Sequence, residues 1–242
     1  APGGNMPFFI SRAFLTGTLA VLALSSWLAP AVCAEGAGQG EVSRVEQLPP
    51  PDREQGRPLA ALLDRRSSVR FFTADTLDTV QLGQLLWATC GTTTAPELFS
   101  HRTIPSAGAL FPLEVYLLPA RGVAHYAPQL HALEWLQDAD RREDLAQAAL
   151  GQGWVKAAPA VFVIAAEPGR TTGKYGERGE RYVIMEAGFA AQNLLLQAVD
   201  RGLGGVPVGA FQDEAVAGVL QLSEERLPLL IVPVGVPRKG NP

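Results

Sequence analysis

Three short apolar runs punctuate the chain: Leu113 to Leu118, closed by Pro119, then Val161 to Ala166, then the Val- and Ile-rich stretch Leu229 to Val236. Each is strand-length and does not alternate with polar residues, so each reads as a strand buried on both faces. Other segments carry helical spacing. Leu82, Leu85 and Leu86 share one face of a helix expected over Val80–Ala88, with Gly91 as its stop. Ala187, Ala191, Leu194, Leu195, Ala198 and Val199 form an apolar stripe at i, i+3 and i+4. That stripe predicts the longest helix, from about Tyr182 to Arg201, ended by Gly202. Pro58 opens a short helix over Leu59–Asp64, another is expected over Arg141–Leu150, and a hairpin near His125-Tyr126. Helices and strands interleave without an internal repeat, which indicates a single domain of the α+β or α/β class.

The N-terminal part is patterned differently. After Met6 and the single cation Arg12 comes a mostly apolar run, Ala13 to Leu28, followed by Pro30 and the small-residue stretch Val32-Cys33-Ala34. This is the layout of a secretory signal peptide over residues 6–34. A membrane anchor is the competing reading, but the run is near the lower limit for a spanning helix and is broken by Thr16, Gly17, Thr18, Ser25 and Ser26. The expectation is therefore an exported, periplasmic protein with no stable membrane span after cleavage. Residues 35–57, polar and centred on Pro49-Pro50-Pro51, read as an extended lead-in rather than core, and 58–242 as the folded domain. Cleavage after Ala34 would leave Cys90 alone, so no intrachain disulfide can form, and Cys90 reads as a buried structural thiol.

Charge and motif content remove several classes of function. A net charge of -4 and a pI near 5.5, with no extended basic patch, argue against nucleic acid. The three histidines, His101, His125 and His131, lack zinc-site spacing, and no metal site is expected. Gly169 to Tyr175 looks like a phosphate loop but is one residue short, with Tyr where Ser or Thr should hold magnesium. There is no Gly-x-Ser-x-Gly elbow. Gly36-Ala37-Gly38-Gln39-Gly40 follows no strand, so it is a poor dinucleotide motif.

Four segments remain. Arg66-Ser67-Ser68-Val69-Arg70 sets two guanidinium groups around two hydroxyls, a set able to grip a phosphate, or simply a solvated helix end. Arg102 to Pro112, with Pro105-Ser106-Ala107-Gly108 inside it, is a run of small residues whose backbone could approach a flat ring, or a bland turn. Lys174 to Tyr182 is densely charged, the usual mark of a solvated loop, and Gly202 to Phe211 could be no more than a helix cap and turn.

Together and in this order the four segments resemble the nitroreductase superfamily, over about Pro58 to Pro237. Ala107 to Tyr116, Lys174 to Arg178, Glu186 to Asn193 and Val232-Pro233-Val234-Gly235 resemble its azoline-oxidase-like (SagB/ThcOx-type) branch. The resemblance implies an α+β nitroreductase-like fold, with a central, mostly antiparallel sheet flanked by helices. It also implies FMN bound at a homodimer interface, with both subunits lining each site. By that likeness Arg66, Ser68 and Arg70, with Ser67 beside them, would hold the phosphate and ribityl chain, and Arg238 or Lys239 would reach the phosphate. Pro105, Ser106, Ala107 and Gly108 would line the isoalloxazine, and Val208, Gly209 and Ala210 would present backbone groups near N5. Arg70 would also favour reduction by answering the charge that gathers near N1 and O2. In the azoline-oxidising relatives a Lys-Tyr pair like Lys174-Tyr175 is implicated in catalysis, as a base acting beside the azoline while hydride leaves. A lysine desolvated by burial, or beside another cation, would suit that role.

Two departures qualify the likeness: Gly188-Phe189 stands where the branch often has Gly-His, and only six residues follow Val236, which leaves dimerisation to helix faces. The function expected is an exported FMN-dependent oxidoreductase that moves hydride between FMN and a small-molecule or peptide substrate. Nicotinamide donors are scarce outside the cytoplasm, which favours a dehydrogenase passing electrons to oxygen or a quinone. The alternatives are an NAD(P)H-dependent nitro or quinone reductase and a non-catalytic flavin-binding or partner-docking protein.

Overall fold

Every named strand pair in this protein is antiparallel. The computed structural model describes residues 41–93 and 101–238, so the expected signal segment and Lys239 lie outside the described residues. Among the described residues seven strands form one sheet in the order β1-β4-β3-β2-β5-β7-β6. They are β1 (Arg44–Gln47), β2 (Leu113–Pro119), β3 (Val123–Ala127), β4 (Ala132–Gln137), β5 (Ala160–Ala166), β6 (Gly204–Gly205) and β7 (Leu227–Gly235). The helices are α1 (Leu59–Arg65), α2 (Thr79–Cys90), α3 (Arg142–Ala148), α4 (Gly153–Ala157), α5 (Gly169–Tyr175), α6 (Arg178–Asp200) and α7 (Asp213–Leu220). The architecture is the expected α+β sheet flanked by helices in one domain.

The three apolar runs become β2, β5 and β7, the centre of the sheet. All seven residues of β5 are buried, because helices cover both of its faces. On one face Leu113, Val115, Leu117, Phe162 and Ile164 pack against α2 and the stripe of α6. On the other, Tyr116, Leu118, Val161 and Val163 pack against α3, α4 and α7. Each large apolar side chain so buried contributes about 1.5–3 kcal/mol. Asp78 caps α2 with a reciprocal box to Gln81, and Gly91 ends it as expected. Cys90 is buried at its last turn, and burial pushes its thiol up to about 12.

Several elements differ from the sequence expectation. The lead-in is not wholly outside the core: it carries edge strand β1, and Leu48 after it is buried. The hairpin expected near His125-Tyr126 is present as β3–β4, with both residues inside β3. The charged segment Lys174–Tyr182 is helical on both sides of Gly176, whose φ of 56° permits the break between α5 and α6. The look-alike phosphate loop is α5 itself. No helix among the described residues is long and apolar enough to cross a membrane.

Candidate active site

After α1 the chain threads between β6 and the segment following β7. Ser68 bridges Gly205, and the Val69 N–H donates to the Gly205 carbonyl at 3.0 Å. On the other side the Thr73 N–H donates to Val236 O at 2.9 Å and the Arg238 N–H to Phe71 O at 3.0 Å. Glycine makes this passage possible, because a Cβ on Gly204 would come within 2.5 Å of the Val69 side chain. The threading brings Arg66, Ser67, Ser68 and Arg70 to the end of the sheet where Arg238 emerges. Ser67, Ser68, Arg70 and Arg238 are exposed and Arg66 half-buried. Among the described residues none of the three guanidinium groups makes a hydrogen bond or ion pair; Arg70 lies 5.6 Å above the ring of Trp154. Val208 pairs with Ile231 through N–H to O bonds of 2.8 and 2.9 Å, and Gly209 and Ala210 follow it, exposed.

A second cluster forms where β2 begins. The loop from Arg102 to Pro112 contains a short 3-10 turn and three residues with left-handed backbone, Gly108 (φ 63°), Ala109 (55°) and Phe111 (46°). For the two non-glycines this costs about 1–2 kcal/mol each, so the loop must be held. Ser106 Oγ accepts from the Phe111 N–H at 2.9 Å, and Asn193 Nδ2 of α6 donates to Thr103 O at 3.1 Å. From α5 the Arg170 guanidinium donates to Phe111 O at 3.2 Å, and the Glu167 N–H donates to Pro112 O at 2.8 Å. Pro105 and Gly108 are exposed, Ser106 and Ala107 half-buried. Over Gly108 stand both expected catalytic residues: a Cβ there would lie 2.8 Å from Tyr175 Oη and 3.0 Å from Lys174 Nζ. Tyr175 stacks edge-on against Tyr182 at 5.3 Å. Lys174 is exposed, so a single chain does not supply the desolvation its expected role needs. Gly108→Ala should therefore combine left-handed strain with displacement of Tyr175 and Lys174. The expected result is a loss of about 1–2 kcal/mol, seen as a lower melting temperature. An unchanged melting curve would mean the loop is slack.

Sequence reasoning missed a polar network behind this loop. Arg170 pairs with Glu114 and Glu167, each at 2.7 Å. Glu114 accepts from His125 Nε2 at 2.6 Å, and His125 Nδ1 meets Glu134 at 2.9 Å. Burial opposes charge on His125, but the hydrogen bonds to Glu114 and Glu134 outweigh it and raise its pKa. Burial likewise opposes ionisation of Glu114, and the His125 and Arg170 cations overcome it, lowering its pKa. The available signal was a charged residue inside an apolar strand run, Leu113-Glu114-Val115, which must have a partner. A separate cleft of about 590 Å³ includes Arg121, Arg142 and Lys156. Each of these is already tied to a carboxylate, Glu46, Asp140 and Glu143 respectively.

The two clusters mark opposite ends of the sheet. Leu113, Ala166 and Leu227 align at one end, and Pro119, Ala160 and Val234 at the other. Seven residues of strand span about 20 Å. Arg66 to Arg70 and Arg238 belong to the Val234 end, the Lys174–Gly108 cluster to the Leu113 end. The residues fit FMN: three guanidinium groups that make no hydrogen bond or ion pair among the described residues, with two hydroxyls, suit a phosphate, and a fixed loop of small residues suits a flat ring.

The family model described as Nitroreductase family matches residues 63–236, and the chain belongs to this family. It is 41% identical over 191 residues to a nitroreductase homologue of Methanocaldococcus jannaschii, covering 76% of this chain and 93% of that protein. It is 30% identical over 145 residues to the microcin B17-processing protein McbC of Escherichia coli, covering 54% of this chain and 53% of that protein. Among solved structures, a nitroreductase homologue from Ralstonia eutropha superimposes with a TM-score of 0.74 at 32% identity, covering 84% of this chain and 94% of that one. The chain is thus a nitroreductase-family oxidoreductase, and such proteins typically bind flavin.

Proposed function

We propose that this protein is an FMN-dependent oxidoreductase of the azoline-oxidase-like branch, acting as a homodimer on a small-molecule or peptide substrate. The observation that carries this reading is the convergence of Lys174 Nζ and Tyr175 Oη over Gly108. Bound FMN would supply hydride exchange. Arg66, Ser67, Ser68, Arg70 and Arg238 bind its phosphate end, Pro105 to Gly108 line the ring, and Val208, Gly209 and Ala210 offer backbone groups beside it. Lys174 takes a proton from substrate and Tyr175 orients it. The separation of the two clusters within one chain supports a second copy completing each site. Exposed apolar side chains on α1 and α6, namely Leu59, Leu63, Ile184, Met185 and Phe189, support those helices as the contact. We further propose that residues 6–34 direct export, with 35–57 leading into the domain 58–242.

The similarity to the Methanocaldococcus jannaschii nitroreductase homologue favours a second reading, a reductase, for which NAD(P)H is the donor we propose. One experiment separates the two. The purified protein should show a flavin absorbance band, a light-scattering mass of two chains, and one FMN per chain. If the azoline-oxidase-like reading holds, anaerobic NADPH leaves the band in place. Prompt bleaching would select the reductase, and a colourless protein that takes up no FMN would sink both.

A further inference from the structure

The helix that carries Lys174 and Tyr175 has almost no apolar anchor. α5 spans Gly169–Tyr175, and Thr171 is its one fully buried residue. A helix that short does not keep its shape or place unaided, so contacts must fix both. Toward α6 the fixing contact is the close packing of Gly179 on the Thr172 backbone, where a Cβ would come within 2.8 Å. Toward the site it is Arg170, half-buried in the first turn. Its Nη2 pairs with Glu114 of β2 and with Glu167, each at 2.7 Å, and its Nη1 donates to Phe111 O at 3.2 Å. Among the described residues the bond to Phe111 is the only hydrogen bond from α5 to the Arg102–Pro112 loop. Glu114 is a firm anchor, since it is buried and its other oxygen meets His125 Nε2 at 2.6 Å.

The loop runs back along the helix. Pro112 O meets the Glu167 N–H just before α5, Phe111 O meets Arg170 in the first turn, and Gly108 meets Lys174 and Tyr175 in the last. Arg170 is the middle contact, one turn before Lys174 on the same helix face. We propose that Arg170 is a positioning residue that ties the helix carrying Lys174 and Tyr175 to the loop that faces the flavin ring. The proposal rests on the FMN reading above. A planar guanidinium offers separate N–H groups, at fixed angles, to the carboxylates and to the carbonyl. A lysine ammonium is a compact point charge that keeps an ion pair with Glu114 without also holding Phe111 O. That carbonyl belongs to a residue with φ of 46°, a conformation that persists only where its surroundings hold it.

The test compares Arg170→Lys with Glu167→Gln in the full chain. R170K keeps a cation beside Glu114 and loses the Phe111 bond. E167Q removes one ion pair and leaves both the Phe111 bond and the Glu167 backbone N–H. Kd is read for FMN and for riboflavin by flavin fluorescence quenching, and amide hydrogen exchange is read without flavin. R170K should weaken both flavins by the same factor, about tenfold for one hydrogen bond from a charged donor, because the loop faces the ring that they share. Exchange should quicken in segments 102–112 and 169–176 while β5 exchanges as in wild type. E167Q should stay close to wild type in both measurements. An R170K protein with wild-type affinity and exchange overturns the proposal. A loss confined to FMN places Arg170 at the phosphate and overturns it too. So does an E167Q protein that loses as much affinity as R170K, since charge alone would then be acting. Failure of R170K to fold, or faster exchange throughout it, makes Arg170 a support of the whole fold and likewise overturns the proposal. A wild type that takes up neither flavin defeats the FMN reading, and exchange then decides by itself whether Arg170 ties α5 to the loop.

Discussion

Replacing Arg66 and Arg70 together with alanine should strip the protein of FMN, weakening affinity about 10²- to 10⁴-fold. A hydrogen bond to a charged group contributes about 1.5–3 kcal/mol, and two guanidinium contacts to one phosphate sum to about 3–6 kcal/mol, at about 1.4 kcal/mol per tenfold. The fold should hardly notice. Arg70 is exposed, Arg66 is half-buried, and among the described residues neither side chain makes a hydrogen bond or ion pair, Arg70 only lying 5.6 Å above the Trp154 ring, so stability should change by about 0.5 kcal/mol or less. That contrast makes the experiment informative, since a loss of flavin at an unchanged melting temperature assigns the two residues to the ligand. Arg→Lys at both positions should fall between, because an ammonium keeps the charge but not the bidentate geometry. If the double alanine variant keeps its FMN affinity within about threefold, the phosphate lies elsewhere and this end of the sheet is merely a solvated surface. If flavin is lost while binding to a partner protein persists, the docking-module alternative gains.

What could be read in the sequence follows from where each element gets its stability. β2, β5 and β7 are buried on both faces, so burial wrote continuous apolar runs into them. The stripe of α6 was legible for the same reason. β1 was not, because its residues Arg44–Gln47 are largely exposed and it holds to the sheet edge by backbone pairing and polar side chains. The Arg44 guanidinium lies 4.6 Å over Trp135, whose Nε1 donates to Glu46 at 3.0 Å. Neither contact leaves a periodic apolar signature. At the site, the individual segments were legible as motifs, and Lys174 and Tyr175 do meet the loop that contains Gly108. Their segment was read as a loop because it is densely charged, whereas it is helical on both sides of Gly176 and Gly179 packs tightly: a Cβ there would lie 2.8 Å from the Thr172 backbone. The distance between the two clusters was hidden, because it depends on strand register, which no local pattern encodes. Arg170 was hidden inside a false phosphate motif.

His125→Leu should be the most destabilising single change in the polar network, because it leaves Glu114 and Glu134 buried without the cation between them. Breaking a buried pair by removing one partner costs about 3–5 kcal/mol. At about 2–4 °C per kcal/mol for a domain of this size, the melting temperature should fall by about 6–20 °C. The pH dependence gives a sharper check. His125 is raised above its ordinary 6.5, so its contribution is complete below that value and is lost as pH rises through the folded pKa. Glu114 is lowered below its ordinary 4.5, so its contribution is complete above that value and is lost as pH falls through the folded pKa. The network is therefore strongest between 4.5 and 6.5. Wild type should lose stability on the alkaline side through the His125 transition, and His125→Leu should lack that arm. Adding Glu134→Gln to His125→Leu should recover part of the loss, since it removes one of the two stranded charges. The consequence reaches the active site through one residue: Glu114 anchors Arg170, and Arg170 holds the Phe111 carbonyl. The His125 variant should thus also bind FMN more weakly. A wild-type melting temperature that stays flat from pH 5 to 9 would mean the His125 proton is not held by these carboxylates, and the link to the loop would fall with it.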